Sequence, residues 1–302
     1  MVQVGVDIGG SHVLACLYDN TTQKLLQDTK CSLHVDPHWE ADQVLTTWST
    51  AITNAISHFQ GKVNGVGIAI PGPFNYYDGI SLITGVNKYE PIYGMNIKKE
   101  LAVRLKMAES QVRFINDASA FAIAVTKLGK AKGFDRCVAI TLGTGLGASF
   151  IANQKPVFSD PLVPENGFLY NQYFEGVMAD DLFSTRGLIN LYHEVSGQRA
   201  ANALEIFELA KSDERAKETF QLFGRKLGQF LSPFLINFEA EILVLGGNIS
   251  NAFRYFEDSL REELPISEVH LSGLMDDAAL IGGALLLDDE YYEELEDIIK
   301  VM

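Results

Sequence analysis

A pattern that occurs twice places the strongest constraint on this fold: an apolar strand, a glycine-rich turn and a second apolar strand. The two copies are VGVDIGGSHVLACL (4–17) and VAITLGTGLGASFI (138–151). A shift of 134 positions superposes Val4 on Val138, Asp7 on Thr141, Gly9 on Gly143 and Ser11 on Gly145. Each copy opens a run of strands followed by helices, so the sequence predicts an internal duplication with two α/β domains.

The glycines of the second copy allow two interpretations. A tight hairpin needs the positive φ that glycine tolerates. Alternatively, a backbone without side chains lets an anion such as phosphate approach the N–H groups. The stretch TLGTGLGAS (Thr141–Ser149) does not decide between them by itself.

Four strand ends carry residues suited to binding a ligand. They are DIGGSH (Asp7–His12), TLGTG (Thr141–Gly145), LGGN (Leu245–Asn248), and the pair Asn116 and Asp117. Ligands of α/β folds bind at the carboxyl ends of strands, so we expect these segments to converge on one cleft between two related domains. The Walker A pattern G-x-x-x-x-G-K-[ST] does not occur in the sequence.

Apolar spacing predicts the elements between these turns. Helical spacing predicts helices over Trp39–Phe59, Ile97–Lys106, Ala118–Leu128, Glu218–Phe238 and Asn251–Leu264. Apolar runs predict strands over Val63–Ile70 and Val112–Ile115. The acidic tail LDDEYYEELEDIIKVM predicts a helix with a solvated face.

Net charge and cysteine content narrow the classes of partner. The formal net charge is −15, which argues against binding nucleic acid or an anionic membrane, because each phosphate contact needs a lysine or arginine. The three cysteines, Cys16, Cys31 and Cys137, lie far apart and favour reduced thiols. No secretion signal is visible, and the longest run of apolar residues and glycine, Ala278–Leu287, is too short to cross a bilayer. We therefore expect a cytoplasmic protein with no nucleic-acid or membrane partner.

Five groups of segments follow one another in an order that is typical of one family. They are VGVDIGGSH; GIAIPGP with TGVN; FINDASAFA; TLGTGLGASF; and FGRKLGQFLSPFLINFEAEILVLGGNIS. In this order the sequence resembles the ROK family of sugar kinases, within the actin/hexokinase/Hsp70 superfamily of ATPases. The resemblance implies two ribonuclease H-like, actin-type α/β domains with a cleft between them. It implies a small domain over residues 1–116, a large domain over residues 117–287, and a C-terminal helix over 288–302 that can pack back on the small domain.

The family resemblance implies ATP-dependent phosphorylation of a hexose, glucose-like or an N-acetylhexosamine, at its 6-hydroxyl group. Asp117 matches the catalytic aspartate that accepts the hydroxyl proton, and Asn116 beside it would hold a sugar hydroxyl. Without the resemblance, Asp117 could equally be the N-cap of the following helix. The positions matched to ATP and Mg²⁺ are Asp7, Gly9, Gly10, Ser11, Thr141, Gly143, Thr144, Gly145, Gly246 and Gly247, with Asp7 positioning Mg²⁺ through water.

The sugar side shows both matches and departures. Asn87 in TGVN and Glu165 in PENGF match family residues that hold ring hydroxyls, with a solvated loop as the alternative for each. Asp180 stands where the family usually has glutamate, and its shorter side chain weakens the expectation of a direct sugar contact. Phe168 replaces the histidine of the family motif G-E-x-G-H, and the cysteine-free NQYFEGVMAD (Asn171–Asp180) replaces the zinc-binding loop. We therefore expect no structural zinc and looser recognition at the C1–C2 side of the sugar.

Two other functions remain open on the sequence. The same family contains sugar-responsive transcriptional regulators with an N-terminal winged-helix domain, for which we expect no room before Asp7. A degenerate sugar-binding protein without catalysis is the second alternative; the missing histidine favours it, and the intact Asp7, Asn116 and Asp117 oppose it. The resemblance also implies a small sugar substrate and is compatible with a homodimer.

Overall fold

The strands of the computed structural model, which describes residues 1–85, 88–274 and 277–302, form two large sheets and two short hairpins. In chain order they are β1 (Val2–Ile8), β2 (His12–Asp19), β3 (Lys24–His34), β4 (Val63–Ile70), β5 (Phe74–Asn75), β6 (Ile80–Ser81), β7 (Val112–Asn116), β8 (Arg136–Leu142), β9 (Leu146–Ala152), β10 (Lys155–Pro156), β11 (Tyr173–Phe174), β12 (Val177–Met178), β13 (Ile242–Gly246) and β14 (Val269–Leu271).

The α-helices lie between and after these strands. In chain order they are α1 (Ala41–Ser57), α2 (Ile97–Leu105), α3 (Asp117–Lys127), α4 (Ala179–Phe183), α5 (Thr185–Ser196), α6 (Ala203–Leu209), α7 (Glu214–Phe238), α8 (Glu257–Arg261), α9 (Asp277–Leu285) and α10 (Asp289–Val301). Within the described ranges, no helix combines the length and the apolar character needed to cross a membrane.

Both large sheets follow the same strand plan. Their strand orders are β3-β2-β1-β4-β7 and β10-β9-β8-β13-β14. The central strands β1 and β8 each pair antiparallel with the strand that follows them and parallel with β4 or β13 on the other side. The predicted α/β fold with two related sheets is confirmed.

The two repeated hairpins differ at their turns. The last paired residues are Ile8 and Val13 in the first hairpin, and Leu142 and Leu146 in the second. Four residues therefore lie in the first turn and three in the second. The shift of 134 positions seen in the sequence holds up to the turn and becomes 133 after it.

The chain divides into two compact units, which we call unit 1 (Met1–Ala124 with Asp276–Met302) and unit 2 (Val125–Met275). This division corrects the predicted one, which placed the boundary after Asn116 and assigned all residues up to Leu287 to the second domain. The boundary falls inside α3, and the chain returns to unit 1 with α9 and α10.

Glycines in β1 and β4 explain why α9 belongs to unit 1. A Cβ on Gly5 would lie 2.0 Å from the carbonyl oxygen of Leu280, and a Cβ on Gly67 would lie 1.9 Å from that of Gly283. Only residues without a side chain allow the helix backbone to approach the sheet this closely. The apolar sequence of α9 does not by itself predict which of the two sheets the helix packs on.

In unit 2, aromatic side chains along α7 fill much of the core. Phe183 stacks on Phe230 with ring centroids 5.0 Å apart, and Phe223 packs edge-on against Phe256 at 5.6 Å. The predicted helix over Asn251–Leu264 is wrong in form, since a 3₁₀ helix ends at Tyr255 and α8 begins at Glu257. The buried Phe256, with a φ of −129° and a ψ of 0°, separates the two.

Candidate active site

In unit 1, two of the predicted strand ends lie at one edge of the sheet. β1, β4 and β7 are parallel neighbours, and their registers pair Asp7 with Ala69 and Ile70 with Asn116. Asn116 is the last residue of β7, and Asp117 is the first residue of α3. Because carboxyl ends of parallel strands meet at one edge, unit 1 brings the Asp7, Asn116 and Asp117 side chains to the same edge.

Asn116 and Asp117 both contact the first turn of α3. The Asn116 Oδ1 accepts a hydrogen bond from the Ser119 N–H (3.2 Å), and its Nδ2 donates to the Tyr76 hydroxyl oxygen (3.3 Å). The Asp117 Oδ1 accepts from the Ala118 N–H (2.9 Å). Asn116 therefore makes the bond that is typical of an N-cap, and the simple cap interpretation of Asp117 does not describe its geometry.

Opposing effects act on the pKa of Asp117. Burial disfavours the charged form and raises the pKa above the 3.8 of an ordinary aspartate. Backbone N–H donors, the positive charge of Lys88 and the Asn116 side chain act in the other direction and offset only part of this rise. A carboxylate with a raised pKa is a better proton acceptor than an exposed one.

Side chains enclose the first glycine turn. The Gly9 N–H closes the turn by donating to the His12 carbonyl oxygen (2.9 Å), and the Tyr89 hydroxyl donates to the Gly9 carbonyl oxygen (2.6 Å). A Cβ on Gly9 would lie 2.5 Å from Cε1 of the His12 ring. Ser11, on the far side of the turn, is exposed.

The second glycine turn is more open. The Gly143 N–H closes it by donating to the Gly145 carbonyl oxygen (3.1 Å), and the Gly143 carbonyl accepts from the Thr185 N–H (2.7 Å) and Oγ1 (2.9 Å). No described atom lies within 4 Å of the point that a Gly143 Cβ would occupy. The φ of Gly143 is not in the left-handed region, so a positive φ does not explain this glycine.

Asp180 supports this second turn. Its Oδ1 accepts from the Leu146 N–H (2.7 Å), and its Oδ2 contacts Nη2 of Arg186 (3.2 Å). A Cβ on Gly145 would lie 2.9 Å from the same Oδ1. Both carboxylate oxygens are engaged within unit 2, and the direct sugar contact, which the short side chain already weakened, stays a prediction.

The end of β13 lies beside the second turn. The register pairs Gly246 with Thr141. Gly247 has a φ of 82°, and a Cβ there would lie 2.4 Å from the Leu142 carbonyl oxygen. The backbone alone therefore requires glycine at position 247, whatever binds beside it.

The PENGF segment forms a tight turn next to an aromatic cluster. Glu165–Gly167 is a 3₁₀ turn, and the Glu165 side chain is exposed. The Phe168 ring packs between Phe158 (5.9 Å between centroids) and Tyr170 (5.3 Å). An aromatic surface thus stands where the family motif has histidine.

Two residues that touch the first turn, Lys88 and Tyr89, were not predicted from the sequence. The Lys88 Cε would lie 3.5 Å from a Cβ on Gly10, and Tyr89 is fully buried. Both directly follow the quoted TGVN segment, but no motif marks them. Asn87, the predicted sugar ligand in that segment, lies outside the described residues.

A model described as "ROK family" matches residues 3–290. An N-acetyl-D-glucosamine kinase of Haemophilus influenzae is 27% identical over 282 residues, which are 86% of this chain and 88% of that protein. An N-acetylgalactosamine kinase, AgaK, of Shewanella is 27% identical over 263 residues, with 82% and 81% covered. This chain shares its fold with the solved structure of a ROK family glucokinase from Streptomyces griseus in complex with glucose and AMPPNP. The TM-score is 0.75 at 22% identity, and the match covers 95% of this chain and 99% of that one.

Proposed function

This chain belongs to the ROK family, and we propose that this ATP-dependent hexose kinase transfers the γ-phosphoryl group of ATP to the 6-hydroxyl of its sugar. The sugar is a glucose-like hexose or an N-acetylhexosamine. The observation that carries the proposal is the Asp117 carboxylate: its pKa is raised, and it follows Asn116 at the sheet edge that also holds Asp7.

Asp117 acts as the general base. Its carboxylate takes the proton of the 6-hydroxyl while the oxygen attacks the γ-phosphorus. The bond from the γ-phosphorus to the bridging oxygen breaks, and ADP leaves with that electron pair. The Asn116 amide donates to the Tyr76 hydroxyl and also acts on the Asp117 carboxylate, so it lies where it would orient a sugar hydroxyl beside the base.

Backbone N–H groups of the two turns bind the phosphates. The first glycine of each turn, Gly9 or Gly143, closes its hairpin and keeps the surface bare. Gly9 and Gly143 belong to the residues that we propose to bind nucleotide. The others are Gly10 and Ser11 in unit 1, and Thr141, Thr144, Gly145, Gly246 and Gly247 in unit 2. Thr141 would add a hydroxyl donor, and Gly246 with Gly247 would offer a flat backbone to adenosine.

Asp7 has the chemistry of a magnesium-positioning residue. Among the described residues, no three His, Cys, Asp or Glu side chains are grouped so that they could hold a metal ion. Mg²⁺ in phosphoryl-transfer sites commonly takes one or two carboxylates, phosphate oxygens and water, and a single partly buried carboxylate at a strand end fits that set. When bound with ATP, the ion supplies charge neutralisation for the phosphates, and Asp7 would hold it through water.

Sugar recognition is assigned to the exposed Glu165 and to Asn87. We assign Asp180 to the second turn instead, because the Leu146 N–H and Arg186 engage its oxygens. Phe168 offers an apolar surface, and an apolar wall discriminates between small groups by only about 10–200-fold. A C2 hydroxyl and a C2 N-acetyl group are therefore both accepted.

A sugar-binding protein without turnover is the competing function, either as a regulator or as a degenerate kinase. The net charge of −15 opposes a DNA-binding role. A carboxylate whose pKa is raised in the folded protein costs stability at neutral pH, and a degenerate protein gains nothing from that cost. Turnover separates the two functions directly.

A coupled assay of ADP release tests the function over glucose, mannose, fructose, N-acetylglucosamine and N-acetylmannosamine. We expect sugar-dependent release with several of these, with kcat/KM values that differ by no more than about 10–200-fold. Asp117→Asn should lower kcat by about 10²–10⁴-fold and leave sugar binding nearly intact, because the amide keeps the shape but cannot accept the proton. Asp42→Asn, in the first turn of α1, is the matched control and should keep full activity.

Two results would contradict the proposal. Sugar binding in a calorimeter without any ADP release would indicate the non-catalytic alternative. A near wild-type kcat for Asp117→Asn would leave Asp117 as a residue of the helix terminus only.

A further inference from the structure

Lys88 places a positive charge over the bare backbone of the first glycine turn. Its Cε and Nζ would lie 3.5 and 3.6 Å from a Cβ on Gly10. This is ordinary contact distance, and Gly10 has no side chain to fill the space. The ammonium group is therefore next to the backbone N–H groups that we assign to phosphate.

The residue after Lys88 fixes it to the turn. Tyr89 is fully buried, and its hydroxyl donates to the Gly9 carbonyl oxygen (2.6 Å). Its N–H donates to the Pro37 carbonyl oxygen (3.0 Å), and its ring packs edge-on against Trp48 at 5.3 Å. Because the neighbouring residue is anchored on both backbone and side chain, less conformational entropy is lost when the lysine binds a ligand.

Tyr89 also adopts a backbone conformation that non-glycine residues rarely take, with a φ of 52°. Such a conformation is strained and persists only where surrounding contacts hold it. The contacts with Gly9 and Trp48 are of that kind. The loop geometry thus directs the preceding lysine towards the turn.

The same ammonium acts on the Asp117 carboxylate. Its positive charge is one of the influences that lower the pKa of Asp117 against the effect of burial. Lys88 therefore lies against the first turn, and its charge also acts on the proposed base. With a formal net charge of −15 on the chain, a fixed cation at this point matters for an anionic substrate.

We propose that Lys88 binds the transferring phosphoryl group at the first glycine turn and holds it until the sugar phosphate is formed; this rests on the proposed kinase function. Lysine suits the role because its ammonium is a compact point charge with three donors. It keeps its protons throughout, while Asp117 accepts the proton of the sugar hydroxyl. Lys88 then contacts the γ-phosphoryl group and makes no contact with ADP.

Lys88→Met tests the proposed phosphoryl contact, because it keeps the length of the side chain and removes the charge. Lys99→Met is the control, because Lys99 is an exposed lysine of the same unit. Lys88→Met should lower kcat by about 10²-fold and change the KM for sugar little, since removing one positioned donor to the reacting group has an effect of that size. The Kd of AMPPNP, measured by calorimetry with Mg²⁺, should rise about tenfold, and the Kd of ADP should stay constant. Lys88→Arg should recover most of the preference for AMPPNP over ADP.

A structural role for Lys88 would weaken AMPPNP and ADP equally and lower Tm. That result, or a kcat and an AMPPNP-to-ADP ratio equal to those of Lys99→Met, would overturn the inference. If Lys88→Met fails to fold, Lys88→Gln is measured in its place. If the wild-type protein phosphorylates no hexose, the proposed function fails, and the AMPPNP-to-ADP ratio still decides the role of Lys88.

Discussion

The two glycine turns are closed by the same kind of backbone hydrogen bond, but their surroundings differ. In both, the first glycine donates its N–H across the turn, from Gly9 to His12 and from Gly143 to Gly145. The first turn is then enclosed by the His12 ring and the Tyr89 hydroxyl. At Gly143, by contrast, a Cβ would meet no described atom within 4 Å.

This difference separates two reasons for a glycine that look identical in the sequence. At Gly247 the backbone requires glycine through a φ of 82° and a close approach to Leu142. Gly143 has neither constraint, so protein geometry alone does not account for it. Unit 1 holds Asp7 and Asp117, and the second turn offers mainly open backbone at Gly143, which suits the proposed base in unit 1 and the proposed phosphate contact in unit 2.

Among the changes that test this contrast, the largest effect is expected from filling the open turn with Gly143→Val. The fold leaves room for the side chain, but that room is the space that we assign to phosphate. The Kd of AMPPNP with Mg²⁺ should rise roughly a hundredfold, about 2.8 kcal/mol, with Tm unchanged. Gly273→Val is the matched control, since Gly273 also has open space and no positive φ, and it should leave the Kd unchanged.

An unchanged AMPPNP affinity in a folded Gly143→Val protein would return the second turn to a plain hairpin. A loss of affinity accompanied by a lower Tm would indicate misfolding of the turn, and it would remove the contrast with Gly247.

Gly247→Ala sharpens the same contrast through stability. Its Cβ would lie 2.4 Å from the Leu142 carbonyl oxygen at a φ of 82°, so we expect a loss of about 1–3 kcal/mol in the free energy of unfolding. Gly143→Ala should change it by no more than about 0.5 kcal/mol. Urea unfolding of both variants measures this, and equal losses would mean that the two glycines do not differ in kind.

Local patterns were enough to predict much of the fold. The repeated hairpins, the parallel strands β4 and β7 and the helices α1, α2, α3 and α7 follow from apolar spacing that the structure retains. β3 (Lys24–His34) was not predicted because most of its residues are exposed or half-buried at an edge, which weakens the apolar signal. The return of α9 to unit 1 was missed because it depends on contacts between Gly5 and Leu280, far apart in sequence.

The site could be predicted only where a glycine or a strand end marked it. Asp7 and Asp117 were proposed in this way, and their roles stay predictions. Lys88 and Tyr89 were missed because their meaning lies in contacts with Gly9 and Gly10, which no spacing rule encodes. Asp180 was assigned to the sugar by family position, and its bond to Leu146 became visible only in three dimensions.

The smallest expected effect concerns pH, and it comes from unit 1 because Asp117, the proposed base, lies there. Burial raises the pKa of Asp117 above 3.8, and the Ala118 N–H, Asn116 and Lys88 all act to lower it. Since the base must be ionised, kcat/KM should fall on acidification at a higher pH than an ordinary aspartate would give. Lys88→Met should move this fall to still higher pH, whereas Gly143→Val should leave its position unchanged.

Stability should depend on pH with the opposite sign. The pKa of Asp117 is higher in the folded protein than in the unfolded chain, so its protonated carboxyl contributes stability below the unfolded pKa, and that contribution is lost as pH rises through the raised folded pKa. Asp117→Asn should therefore have a higher Tm than wild type above the folded pKa, and the difference should narrow as the pH is lowered through that pKa towards 3.8. Calorimetry across this range measures both proteins, with Asp42→Asn as the reference for an exposed aspartate. Two results together would mean that burial does not raise the pKa of Asp117: a difference in Tm that stays constant with pH, and a fall of kcat/KM at or below pH 3.8. The contrast between a proposed base in unit 1 and an open backbone turn in unit 2 would then lose its chemical basis.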